Sequence, residues 1–124
     1  MDVLIVEDNA DLGQLWLNHL TRLGHRVTLV DSADAAIEML GDDGADVIIA
    51  DLDLPGSAAA SVADYAAYRL PEARVIFVTA STFFSDGSAF ALAANACACL
   101  PSRTAPDDLA AVVEYHGPRA AKGA

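Results

Sequence analysis

Basic residues are scarce in this sequence of 124 residues. Seven Lys and Arg stand against 18 Asp and Glu, so the formal net charge is −11 at pH 7. A surface this acidic repels the phosphates of nucleic acids and of anionic lipids. We therefore expect that this chain contacts neither nucleic acid nor a membrane.

Cysteines and long apolar runs are also few. The two cysteines, Cys97 and Cys99, are two residues apart. A loop that short rarely closes a stable disulfide, and a regular strand would point both thiols to the same face. We expect two small buried residues of a reducing compartment. No apolar run reaches the ~20 residues that cross a bilayer, and acidic Asp2 follows Met1 where a signal peptide would be basic. These absences predict a cytoplasmic protein.

Apolar residues, in contrast, are abundant enough to form a core. The sequence is 54% hydrophobic and 20% charged, which is typical of a folded chain. Its length fits one domain, which we place at residues 1–117. Residues 118–124 are small and polar and are expected to form a flexible tail.

Short apolar runs alternate with helical patterns along the chain. The runs are continuous rather than alternating, as in strands that are buried on both faces. They predict strands at residues 3–6, 26–30, 46–51, 74–79 and 96–100. This (βα)5 order predicts an α/β fold, a doubly wound five-stranded parallel sheet of the flavodoxin-like kind.

Capping residues, glycines and prolines predict where the helices begin and end. Asn9 is expected to cap the first helix, Asp31 or Ser32 the second, and Thr104 the last. The predicted helices span residues 10–23, 33–41, 57–68 and 85–94, and a last one runs to about residue 116.

Acidic residues stand at the ends of predicted strands. Glu7 and Asp8 follow the first strand, and Asp51 ends the third. The hydroxyl of Thr79 ends the fourth. The carboxyl ends of parallel strands meet at one edge of the sheet, where ligands bind. Crowded carboxylates favour a divalent cation, and oxygen ligands suit Mg²⁺. A carboxylate beside such a cation can attack a phosphoryl group, and a hydroxyl can donate a hydrogen bond to the product.

Three segments in this order resemble the receiver domain of response regulators. They are residues 3–9 with their acid pair, residues 46–56 around Asp51, and residues 75–80 with Thr79. The resemblance extends from residue 2 to about residue 116. It implies the receiver architecture and a role in two-component or phosphorelay signalling, with no enzymatic activity beyond the domain's own phosphorylation and dephosphorylation.

The resemblance also implies roles for individual residues. Asp51 would be the phosphoacceptor, taking its phosphoryl group from a phosphohistidine of a histidine kinase or histidine phosphotransfer protein. The Mg²⁺ ligands would be Glu7, Asp8, Asp51 and the backbone carbonyl of Asp53. Thr79 would be the switch hydroxyl. The side chains of Asp53 and Ser81 match positions that tune reaction rates in the family.

The fifth strand departs from the family pattern. Leu100 stands where the family has a Lys that pairs with the phosphoryl group, and Cys97 replaces an aromatic switch residue. Ala59 matches a family glycine. Arg103 is the nearest downstream cation, but three residues place it in a different element. An altered readout is therefore expected. Homodimer or output contacts are expected on the face formed by the fourth helix, fifth strand and fifth helix.

Other functions remain open at this point. A pseudo-receiver would keep the fold and work without phosphate, as the missing Lys suggests. A haloacid-dehalogenase-like phosphohydrolase would use Asp51 as nucleophile and Asp53 as acid/base, although that family carries its nucleophile on the first strand. A flavodoxin-like cofactor binder is set aside, because it would need a phosphate-binding loop after the first strand, where the acids Glu7 and Asp8 would repel phosphate.

Overall fold

Five parallel strands form one sheet in a computed structural model that describes residues 1–80 and 93–118. The order across the sheet is β2-β1-β3-β4-β5. The strands are β1 (Asp2–Val6), β2 (Arg26–Val30), β3 (Val47–Asp51), β4 (Arg74–Thr79) and β5 (Ala96–Pro101). The predicted parallel sheet is confirmed. Its order reverses between β1 and β3, which places a switch point at the carboxyl ends of these strands.

Helices cover both faces of this sheet. They are α1 (Ala10–Arg22), α2 (Ala33–Asp42), α3 (Ala58–Arg69) and α4 (Pro106–His116). The helix predicted at residues 85–94 lies outside the described residues except for its last two positions, which are not helical. Within residues 1–80 and 93–118, no helix has the length and apolar character needed to span a bilayer.

The core has two halves, one on each face of the sheet. Side chains of a strand alternate between the faces, so Ile5 and Ile49 pack with α1 and α4, whereas Leu4 and Ile48 pack with α2 and α3. Both halves are apolar, which explains why the strands appear in the sequence as continuous apolar runs. Trp16 of α1 is the largest fully buried side chain.

The predicted helix caps are partly confirmed. The Asn9 side chain accepts a hydrogen bond from the Leu12 amide at 3.1 Å and caps α1. Ser32 caps α2, which continues past its predicted end at residue 41 to Asp42. The prediction that Thr104 caps the last helix is wrong. Pro106 occupies the first helical turn, and Ala105 takes the capping position. Pro106 is preorganised for that turn and lacks an N–H that would need a cap.

The expectation that both thiols share a face of the sheet is also wrong. Val75 pairs with Ala96 and Ile76 with Ala98, so Cys97 is an extra residue in β5. Such a bulge interrupts the alternation of side chains. Cys97 consequently packs with the α1–α4 half of the core and Cys99 with the α2–α3 half. Both cysteines are free thiols and partly buried.

Two serines at helix starts allow a matched test of capping. The Ser32 hydroxyl accepts a hydrogen bond from the Ala35 amide at 3.2 Å, whereas Ser57 precedes α3 without a side-chain cap. We expect Ser32→Ala to lower the free energy of unfolding by about 1 kcal/mol. Ser57→Ala should change it by less than about 0.5 kcal/mol. Urea unfolding measures both, and equal losses in the two variants would contradict the assignment.

Candidate functional site

The predicted site residues gather at the carboxyl edge of the central strands. In the sheet register Val6 lies beside Ala50, and Asp51 lies beside Val78. The residues that follow Val6 and Val78 therefore flank Asp51 from the two neighbouring strands. This is the edge at which the strand order reverses.

Three carboxylates form one group at this edge. Glu7, Asp8 and Asp51 each offer an oxygen, and these atoms all lie within 4.8 Å of one another. Glu7 is 2% exposed and Asp51 5% exposed, whereas Asp8 is open to solvent. The group therefore has two buried members and one member that faces an entry path from water.

Glu7 has one oxygen without a partner. Its Oε2 accepts a hydrogen bond from the Asn9 amide at 3.1 Å, but its buried Oε1 has no hydrogen-bond partner among the described residues. Burial, and then the adjacent Asp51 carboxyl, raise the pKa of Glu7 to about 8. Without a cation, the Glu7 carboxyl therefore holds a proton at neutral pH.

These residues fit a hard divalent cation. The donor atoms are all carboxylate oxygens, which Mg²⁺ prefers. A cation would give the Glu7 Oε1 atom the partner that it lacks and would replace the proton on the Glu7 carboxyl. The fourth predicted ligand, the backbone carbonyl of Asp53, stays a prediction.

Asp53 connects this group to the end of β4. Its amide donates a hydrogen bond to Asp51 Oδ1 at 2.8 Å. Its own carboxylate accepts one from the Thr79 hydroxyl at 2.9 Å and one from the Ala80 amide at 2.7 Å. The resemblance predicted two roles for Asp53, a backbone carbonyl that binds Mg²⁺ and a side chain that tunes reaction rates. Nothing in the sequence indicated that its side chain binds Thr79, 26 residues away.

Comparison with known proteins agrees with this geometry. The family described as "Response regulator receiver domain" matches residues 3–114. The chain belongs to this family. A receiver domain is a signalling module, and the match covers every predicted site residue.

One relative is similar to this chain in sequence, and solved structures are similar to it in fold. The response regulator protein FleR of Pseudomonas aeruginosa is 32% identical over 78 residues, which are 63% of this chain and 16% of FleR. A CheY-like receiver domain protein from Methanospirillum hungatei superposes with a TM-score of 0.82 at 22% identity, covering 92% of this chain and 90% of that one. For TrrA of Thermotoga maritima, in complex with Mg²⁺ and BeF, the TM-score is 0.79 at 19% identity, covering 93% and 97%.

The residue that departs from the family pattern, Leu100, lies in the same row of the sheet as Asp51. Leu100 pairs with Val78, which in turn pairs with Asp51, so the three residues form one row across β5, β4 and β3. Leu100 is half-buried and packs with the α1–α4 half of the core. An apolar side chain therefore occupies the strand position from which a Lys would extend toward Asp51.

Arg103 lies beyond the strand in this receiver domain. It is exposed, in a turn closed by a hydrogen bond of 3.0 Å from the Thr104 amide to the Pro101 carbonyl. The other predicted departures also have defined places. Cys97 is the bulge residue of β5, where burial raises the pKa of its thiol, and Ala59 is buried in α3. Ser81 lies outside the described residues.

Proposed function

We propose that this receiver domain accepts a phosphoryl group on Asp51 from a phosphohistidine of a histidine kinase or histidine phosphotransfer protein. The observation that carries the proposal is the group of three carboxylates at the switch point of the sheet, with Asp51 buried beside Glu7. FleR is named as a response regulator, which agrees with two-component signalling.

The chemistry of the transfer follows from the position of Asp51. A carboxylate oxygen of Asp51 attacks the phosphorus, the P–N bond to the histidine breaks, and its electron pair stays on the imidazole nitrogen. The Asp53 amide, which donates to Asp51 Oδ1, orients the attacking carboxylate. Mg²⁺ held by Glu7, Asp8, Asp51 and the Asp53 carbonyl would offset the phosphate charge. Thr79 would donate its hydroxyl hydrogen bond to the new phosphoryl group.

The proposal extends to the domain and its contacts. The receiver domain spans residues 1–117, and the tail predicted at residues 118–124 lies outside the described residues except for its first position. Phosphorylation takes place in the cytoplasm, where the domain signals through protein contacts. The surface for a homodimer or an output partner includes β5 and α4, together with the predicted helix that lies outside the described residues.

The test is phosphorylation by a small donor. The protein is incubated with acetyl phosphate and Mg²⁺, and its intact mass is measured. We expect the native chain to gain the mass of one phosphoryl group, and Asp51→Asn to gain none. Asp64→Asn on α3 is the matched control, because Asp64 is an exposed aspartate on a helix surface. It should behave like the native chain, and a native chain that stays unmodified would overturn the proposal.

A pseudo-receiver is the second candidate, favoured by one observation. The apolar Leu100 occupies the row that leads to Asp51, where it cannot pair with a phosphoryl oxygen. If the chain is a pseudo-receiver, we expect it to gain no phosphoryl group and to show no spectral change with beryllofluoride and Mg²⁺. The phosphohydrolase alternative finds no support, because Asp51 lies on β3 rather than on the first strand.

A further inference from the structure

The Asp53 side chain forms a bridge between two parts of the site. One of its carboxylate oxygens accepts from the Thr79 hydroxyl at 2.9 Å, and the other accepts from the Ala80 amide at 2.7 Å. Hydrogen bonds to an ionised acceptor are about twice as strong as those between neutral groups. The segment after β3 is thereby fastened to the end of β4.

A phosphoryl group on Asp51 would need the same two donors. Asp51 lies beside Val78 in the register of β3 and β4, so Thr79 and Ala80 are the next residues along the neighbouring strand. Neighbouring strands are about 4.8 Å apart. Phosphoryl oxygens that extend from the Asp51 carboxyl therefore lie toward the end of β4, where the Thr79 hydroxyl and the Ala80 amide point at the Asp53 carboxylate.

We propose that the Asp53 carboxylate occupies the hydrogen-bond donors of the phosphoryl group, and that phosphorylation of Asp51 displaces it from Thr79 and Ala80. This inference rests on the proposed function. Two anions cannot share these donors, because like charges in one site repel each other. Asp53 is exposed, so its carboxylate can rotate into water. Its amide meanwhile keeps the hydrogen bond to Asp51.

The displacement makes Asp53 a positioning residue that opposes phosphorylation. In the unmodified protein it holds the Thr79 hydroxyl in a defined place, as the phosphoryl group would do after transfer. The Thr79 hydroxyl therefore donates a hydrogen bond in both forms. Its position differs less between the unmodified and the phosphorylated protein than it would if the unmodified protein offered that hydroxyl no acceptor. Addition of a phosphoryl group is less favourable as a result, because the hydrogen bonds of the Asp53 carboxylate must be broken.

The test compares beryllofluoride binding, with Mg²⁺, in variants of Asp53. We expect Asp53→Ala to lower the dissociation constant about tenfold, because the donors are then open. The dissociation constant of Asp53→Asn should lie between those of the native protein and Asp53→Ala. The Asn amide oxygen accepts from the Thr79 hydroxyl, but its amide nitrogen cannot accept from the Ala80 N–H. Calorimetry measures the constants, and Asp64→Ala on α3 controls for the removal of one charge elsewhere.

Two further readouts separate the bridge from a plain effect of charge. In the Thr79→Val background, Asp53→Ala should gain distinctly less affinity, because one of the two bonds is already gone. The Ala80 amide proton should move upfield in Asp53→Ala before any beryllofluoride is added. An unmoved Ala80 resonance, or an Asp53→Ala variant that binds no more tightly than the native protein, would overturn the inference. Failure of the native chain to gain mass from acetyl phosphate overturns the proposed function instead, and the Ala80 resonance still reports the bridge.

Discussion

Glu7→Gln is expected to raise the free energy of unfolding of the cation-free protein by about 3–4 kcal/mol at pH 8. The reason is the environment of the native carboxyl. Glu7 is buried next to Asp51, and its pKa is raised from 4.5 to about 8. At pH 8 the native protein must either keep a proton that the unfolded chain has released or bury the charge, and a neutral amide avoids both costs.

The sign of the pH dependence follows from the two pKa values. Below pH 4.5 the Glu7 carboxyl is protonated in both the folded and the unfolded chain. Between pH 4.5 and about 8 only the folded chain keeps the proton, so native stability falls as pH rises. Above about pH 8 both states are ionised, and the loss is complete. Glu7→Gln should remove this decline, so the difference between the two proteins grows from pH 5 to pH 8.

Mg²⁺ should reverse the effect of the substitution. Binding to the native site replaces the proton of the Glu7 carboxyl, so Mg²⁺ stabilises the native protein and releases a proton near neutral pH. Glu7→Gln lacks one carboxylate ligand and should be stabilised far less. Guanidinium unfolding from pH 5 to pH 9, with EDTA or with Mg²⁺, measures both effects. Glu38→Gln, an exposed glutamate of α2, is the matched control. Parallel pH profiles for native and Glu7→Gln proteins would contradict the assignment of the raised pKa.

The sequence predicts the parts of this fold that depend on local pattern. The run at residues 74–79 becomes β4 without a shift at either end, because a strand buried on both faces needs every position apolar except at its ends. The Asn9 cap follows from a side chain that bonds its own helix three residues on. Glu7 and Asp51 could be placed together, since parallel strands bring their carboxyl ends to one edge.

The remaining features depend on contacts between distant segments. The bulge at Cys97 is defined by the pairing of β5 with β4, so the sequence of β5 alone could not predict it. The prediction that both thiols lie on one face was wrong for this reason. The Asp53–Thr79 hydrogen bond joins residues 26 positions apart and has no sequence signature. The raised pKa of Glu7 needs both burial and the neighbouring carboxyl, and neither can be measured along a single segment.

Leu100→Lys is expected to lower the dissociation constant for beryllofluoride with Mg²⁺ by about ten- to a hundredfold. Leu100, Val78 and Asp51 form one row across three strands. Two strand spacings separate the outer residues by about 10 Å, a gap that a lysine side chain and a bound phosphoryl analogue together span. The ion pairs in the described part of the chain involve other acidic residues, and none includes Glu7, Asp8 or Asp51. Within the described residues, a new ammonium would therefore not compete with another basic side chain for the acidic group.

The apolar environment of position 100 decides how the lysine would lie. Leu100 is half-buried against the α1–α4 half of the core, so the lysine methylenes can replace part of its packing while the ammonium extends to the edge of the sheet. Leu100→Met is the control, because it has a long unbranched side chain without charge. The gain should appear in Leu100→Lys alone and should shrink as ionic strength rises. If Leu100→Lys and Leu100→Met bind beryllofluoride equally, a charge at this position does not reach the phosphoryl site.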